Sequence, residues 1–204
     1  MSTLDDDQIE QLRRLWDQYG RLLVTLLMAA LAVVFGRYAY ERYQTRQAVA
    51  AQALYAAWQQ PPAGQSADAL AEQLREKFPR SSYAAFVAFA QAKQAVEAGK
   101  LDAAEQRLRW VIEHSAEPND RALATLRLAR VLLDQGKAQA AQDALGKDTD
   151  PGSTAQAELR GDIAQALGKP QDARQAYQEA LAGLPAESGQ AALIKLKLDA
   201  LGQP

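Results

Sequence analysis

Between Leu22 and Gly36 the chain reads LLVTLLMAALAVVFG, a stretch without a charged residue. Such a run, with Thr25 its one polar side chain, has to satisfy its backbone N–H and C=O groups internally, as a helix. At about 1.5 Å per residue the helix extends about 22 Å, short of a hydrocarbon core about 30 Å thick. Arg21 on one side, and Arg37, Tyr38 and Tyr40 on the other, extend its reach, because their stems are apolar and only their tips need water. A buried core helix has the same length. The apolar residues on every face, the basic brackets and the tyrosines favour a membrane span instead. Ala30 and Ala32, a small pair of the kind found at cleavage sites, lie inside the apolar run rather than after it, which argues against a cleaved signal peptide. The expectation is an uncleaved transmembrane signal-anchor helix over 21–43. Leu22, Leu23, Leu26, Leu27, Leu31, Val34 and Phe35 would anchor it in membrane lipid.

Residues 1–20 precede the span. They carry the acidic cluster Asp5, Asp6 and Asp7, then Ile9, Leu12, Leu15, Trp16 and Tyr19 at helical spacing, which reads as an amphipathic tail or, alternatively, as a solvated stub. Arg13, Arg14 and Arg21 lie before the span and Arg37, Arg42 and Arg46 after it. The positive-inside rule is therefore tied. A short tail followed by a long domain suits a signal anchor with its N-terminus in the cytoplasm, since long domains translocate largely regardless of charge.

From residue 44 onward the chain is alanine-rich, poor in β-branched residues and cut at intervals by Pro and Gly, as expected of helices throughout. Pro61-Pro62, Pro79, Pro118, Pro151-Gly152 and Pro185 are breaks, and three others are the same dipeptide, at Gly99-Lys100, Gly136-Lys137 and Gly168-Lys169. The glycines are 37 and 32 residues apart, the period of a helical-hairpin repeat. Aligned on them, Ala104, Ala141 and Ala173 follow at the fifth position, and Leu108, Leu145 and Tyr177 at the ninth. Ala92, Ala129 and Gly161 precede at the seventh. Small residues on facing turns let two antiparallel helices approach, the bulky one fills the space beside them, and glycine supplies the φ > 0 that ends the first helix. Residues 44–79 make an earlier hairpin, whose first helix has no breaker separating it from the span except Gly36. Residues 188–201 supply a closing helix, with Ala192, Leu193, Leu196 and Leu201 facing inward and Lys195, Lys197 and Asp199 outward.

The chain offers little for catalysis. It has no cysteine and one histidine, His114, placed at a helix C-terminus where a surface imidazole suits the dipole. Familiar zinc spacings are therefore unavailable, and no Gly-rich phosphate loop or nucleophile motif occurs. Its carboxylates are interspersed with Lys and Arg at a net charge of −2, which gives no paired acid and base and no basic footprint for nucleic acid. The expectation is a non-enzyme without cofactor, metal or catalytic residues, working through a surface.

The hairpins resemble the tetratricopeptide repeat, a unit of about 34 residues. The best match is the third, AQAELRGDIAQALGKPQDARQAYQEALAGLP, from Ala155 to Pro185. In such arrays the first helices of successive hairpins line a concave groove. Carried over by the alignment, the groove positions are Phe86, Phe89 and Lys93, then Leu126 and Arg130, then Glu158 and Asp162. Exposed phenylalanines beside cations would suit an extended chain. The alternative is that Phe86 and Phe89 pack against the first hairpin. The fold class expected is all-α: one transmembrane helix followed by a tetratricopeptide-like helical-hairpin solenoid.

The acidic tail, the span ending in Arg37-Tyr38, and the segments SSYAAFVAFAQAK (81–93), LRLARVLLDQGKAQAAQDAL (126–145) and LRGDIAQALGKPQDARQAYQEAL (159–181) resemble the ancillary SecYEG translocon subunit family of Gram-negative bacteria. The resemblance covers nearly the whole chain. It implies a single-pass inner-membrane protein with a cytoplasmic N-terminus and a periplasmic repeat domain over 44–204. It further implies association with SecYEG and with a membrane-anchored periplasmic chaperone of the peptidyl-prolyl isomerase type, a role in handing on nascent secreted chains, and a link to a cytoplasmic stress-response regulator. Two other readings stand beside this adaptor role: a structural scaffold of another envelope complex, and a regulatory tether.

Overall fold

The computed structural model describes residues 3–146 and 153–202, which contain helices and no strand. The elements are α1 (Thr3–Gln59), α2 (Ala67–Lys77), α3 (Ser82–Glu97), α4 (Leu101–His114), α5 (Pro118–Asp134), α6 (Ala138–Leu145), α7 (Thr154–Ala166), α8 (Pro170–Ala182) and α9 (Gly189–Ala200). The Pro151-Gly152 break falls outside the described residues, as do the side chains of Ile9, Leu12, Leu15 and Leu23.

Two compact units divide at Ala50 and Ala51. In the first, α1 runs unbroken through Gly20 and Gly36, so tail and span are one helix. Leu22, Leu26, Leu27, Leu31, Val34 and Phe35 are all exposed, Phe35 by 67%. A core helix would have hidden them; this one is long and apolar enough to cross a membrane. Thr25 Oγ1 donates to the Leu22 carbonyl at 2.8 Å, so the one hydroxyl in the apolar run brings its own acceptor. Beyond the run, Arg37 pairs with Glu41 at 2.9 Å and the Arg42 guanidinium lies over the Tyr38 ring.

The second unit is a stack of hairpins. Gly99, Gly136 and Gly168 have φ of +70°, +75° and +70°. At each turn the glycine N–H bonds the carbonyl three residues back and the lysine N–H bonds the one five back, as in Lys100 to Ala95 (2.8 Å), Lys137 to Leu132 (2.9 Å) and Lys169 to Ala164 (2.9 Å). These are Schellman closures, in which only a residue free to adopt left-handed backbone fits without strain. Ser66, Ser81 and Ser188 cap α2, α3 and α9 by accepting from the backbone N–H three residues on.

The aligned small and large positions are interior ones. Ala104, Ala141 and Ala173 are fully buried, as are Leu108, Leu145 and Tyr177 to within a few per cent. Gly161 explains the third pair: a Cβ there would sit 2.4 Å from the Tyr177 ring. Glycine on α7 therefore makes the room that the aromatic of α8 fills. One core cluster joins α3 to α7 through Phe89, Leu108, Leu128, Leu132, Leu145 and Ile163. A second joins α7, α8 and α9 around Tyr177 and Ile194. A third joins the end of α1 to α2 and α3 through Ala51, Leu74 and Val87, with Tyr55 stacked on Trp58 and tilted against Tyr83. Of the hairpin expected over 44–79, the part from Ala51 onward takes part in this cluster.

The closing helix sits in a different rotation from the one expected. Ala191 and Ile194 are buried, with Leu198 and Leu201 packed beside them, while Ala192, Leu193 and Leu196 face outward, Leu196 by 65%. Of the four residues expected to face inward, only Leu201 does. The stripe 191, 194, 198, 201 keeps helical spacing, as an inward face must. Lys197, expected outward, turns inward because two carboxylates of α7 wait for it, which apolarity counts do not register.

Candidate functional site

The first helices of the hairpins, α3, α5 and α7, carry the expected groove positions, and the structure divides those positions into three groups. Phe89, Lys93 and Arg130 line one cavity of about 570 Å³ between α3 and α5. Its floor is Phe89, Ala92, Val96, Leu108 and Val131, and its rim carries Lys93, Glu97, Arg127, Arg130 and Asp134. Phe89 is only 8% exposed and belongs to the central core, contrary to the exposed pair expected. The Arg127 guanidinium covers its ring at 4.9 Å from the centroid. Phe86 is 51% exposed, one turn earlier, and does not line the cavity. Leu126, aligned with Phe89, is half-buried against the central core rather than in the cavity. Neither phenylalanine belongs to the cluster that α2 and the end of α1 form with α3.

Glu158 and Asp162 are engaged within the fold. Lys197 Nζ donates to Glu158 at 2.8 Å and to both oxygens of Asp162 at 2.7 and 2.8 Å. Tyr177 O–H donates to Asp162 at 2.7 Å, and Gln190 reaches Glu158 at 3.1 Å. Burial alone would raise the Glu158 carboxyl; hydrogen bonds from Lys197 and Gln190, with Arg130 acting at longer range, outweigh it and hold the group below its ordinary value. For Lys197, burial would depress the ammonium, but the bonds to Asp162 and Glu158 win and raise it. The Tyr177 phenol is pushed up, first by burial and then by Asp162. This cluster fastens α9 onto α7 and α8, so α9 closes the α7 end of the concave face.

Alignment on the glycines missed Arg127, Val96, Val131 and Asp134. Their signal lies in helical spacing, since 89, 93, 96 and 97 on α3 and 127, 130, 131 and 134 on α5 each form one stripe. His114 sits off the groove. Its Nδ1 lies 2.9 Å from the Trp110 carbonyl, and its ring stacks on Trp110 with centroids 4.8 Å apart. Among the described residues, no three His, Asp or Glu side chains gather as a metal site would require.

Helical hairpins stacked on Schellman turns, with small residues facing and a concave cleft between first helices, define a tetratricopeptide-like repeat protein. The tetratricopeptide repeat-like domain family model matches residues 13–203. An ancillary SecYEG translocon subunit from Neisseria gonorrhoeae is 30% identical over 202 residues, spanning 97% of each chain. A protein of the same name from Escherichia coli K12 is 26% identical over 178 residues, 85% of each chain. The chain belongs to the family of these ancillary translocon subunits. No solved structure matches it significantly.

Proposed function

We propose that this protein is a membrane-tethered, non-enzymatic adaptor of the protein-secretion translocon. The helix over 21–43 crosses the inner membrane once, leaving residues 1–20 in the cytoplasm and the repeats of 44–204 in the periplasm. There the repeats link SecYEG to a peptidyl-prolyl isomerase-type chaperone and to emerging chains. The observation that carries this reading is the end-to-end similarity to the Neisseria protein, whose name places it with SecYEG. Two features support it physically. The exposed apolar surface of α1 suits a lipid-embedded tether. The cleft between α3 and α5 has the apolar floor and polar rim of a recognition surface.

Purification of the full-length protein from membranes under native conditions tests the partnership. Translocon subunits should co-elute; co-elution with an unrelated envelope assembly in their place would favour the scaffold role. Loss of a cytoplasmic partner on deleting residues 1–19 would favour a regulatory tether. An alkaline phosphatase fusion at the C-terminus tests orientation: it should be active, and an inactive fusion excludes a periplasmic repeat domain.

A further inference from the structure

The cleft between α3 and α5 has a polarity along its length. Each helix follows the previous hairpin back to the same end of the stack, so α3 and α5 run in the same direction. Phe89 lies level with Arg127, whose guanidinium covers it. One turn on come Lys93 and Arg130, and at the far end Glu97 and Asp134. Positive charge thus covers one end and the middle of an apolar floor, and two carboxylates hold the other end. Lys93 and Glu97 make only a loose, exposed contact of 3.7 Å. Among the described residues, the Arg127 and Arg130 guanidiniums make no hydrogen bond or close ion pair, although each can offer planar donors to a carboxylate.

We propose that this cleft binds an extended internal segment of a partner protein. The segment carries an acidic side chain, then a large apolar one, then a basic one. Its carboxylate meets Arg127 and Arg130, its apolar side chain covers Val96 and Val131, and its base meets Glu97 and Asp134. The nine residues from Phe89 to Glu97 rise about 12 Å, which an extended chain covers in about four residues. The cavity of about 570 Å³ falls within the usual range for ligand sites, about 300–1,000 Å³. Complementary charge at both ends fixes the direction in which the segment lies. The inference rests on reading the repeats as a partner-binding platform.

The test is fluorescence anisotropy with full-length protein in detergent and two labelled peptides blocked at both termini, one containing Glu-Leu-Ala-Lys and the other Lys-Leu-Ala-Lys. The first should bind at least about tenfold tighter, a difference that one lost charge-assisted contact can supply. The Arg127→Gln/Arg130→Gln variant should lose that preference with unchanged helicity and only a small drop in melting, the loss of the Arg127 contact with Phe89, since both side chains are exposed. Asp134→Lys reads the other end and should weaken the Glu-Leu-Ala-Lys peptide relative to one with Gln replacing its Lys. Equal affinity for the two peptides, or a preference that survives the double variant, overturns the proposal. So does binding that requires a free C-terminal carboxylate, or displacement of the peptide by a second copy of this chain. Peptide binding reads the cleft alone and translocon co-elution reads the adaptor role, so the two can fail separately.

Discussion

Gly161 and Tyr177 are a matched pair, and substitution should reveal it. Gly161→Ala puts a methyl carbon into the tyrosine ring, and overpacking of this kind costs about 1–3 kcal/mol. Thermal melting should show that loss, and Tyr177→Leu in the same chain should recover part of it. Lys197 is the other informative residue. Lys197→Met leaves Glu158 and Asp162 without their cation and should destabilise by about 1–3 kcal/mol, the cost of stranding partly buried charged acceptors. The pH dependence follows from the same contacts. Because folding lowers the Glu158 value, its contribution is complete above the ordinary value of 4.5 and is lost as pH falls through the depressed one. Folding raises the Lys197 value, so its contribution is complete below 10.5 and fades as pH climbs through the elevated one. Melting followed against pH should therefore fall at both extremes, and Lys197→Met should flatten both limbs.

At the scale of elements, the turns were the most legible part of the sequence. Three Gly-Lys dipeptides fix three left-handed residues, and the small and large positions counted from them land in the core. Gly136→Ala should cost about 1–2 kcal/mol, the penalty for a Cβ in left-handed backbone, measurable by denaturant unfolding. What escaped was rotation about a helix axis. For α9, Leu193 and Leu196 outnumber Ile194 as apolar bulk, yet the inward stripe is 191, 194, 198 and 201. Two carboxylates on a helix some 35 residues earlier decide the matter by drawing Lys197 in, and no local pattern encodes such a partner. The groove was half legible for the same reason: Phe89, Lys93 and Arg130 fell on it, while Glu158 and Asp162 were already taken.

For the whole molecule, the exposed apolar helix and the polar-surfaced repeats want different solvents. Full-length protein should partition into the detergent phase on cloud-point separation, and a fragment over 44–204 should stay in the aqueous phase with a helical circular dichroism spectrum. Detergent-free solubility of the intact chain would contradict the exposure of Leu26, Leu27 and Phe35.

Within the stack, helices pack on those one or two places along the chain. Contacts this local carry a small loop-closure cost. A chain delivered from one end can therefore set each hairpin before the next arrives, with α9 docking after α7 and α8 and sealing them. Assembly in that order leaves no half-built core waiting for a distant segment.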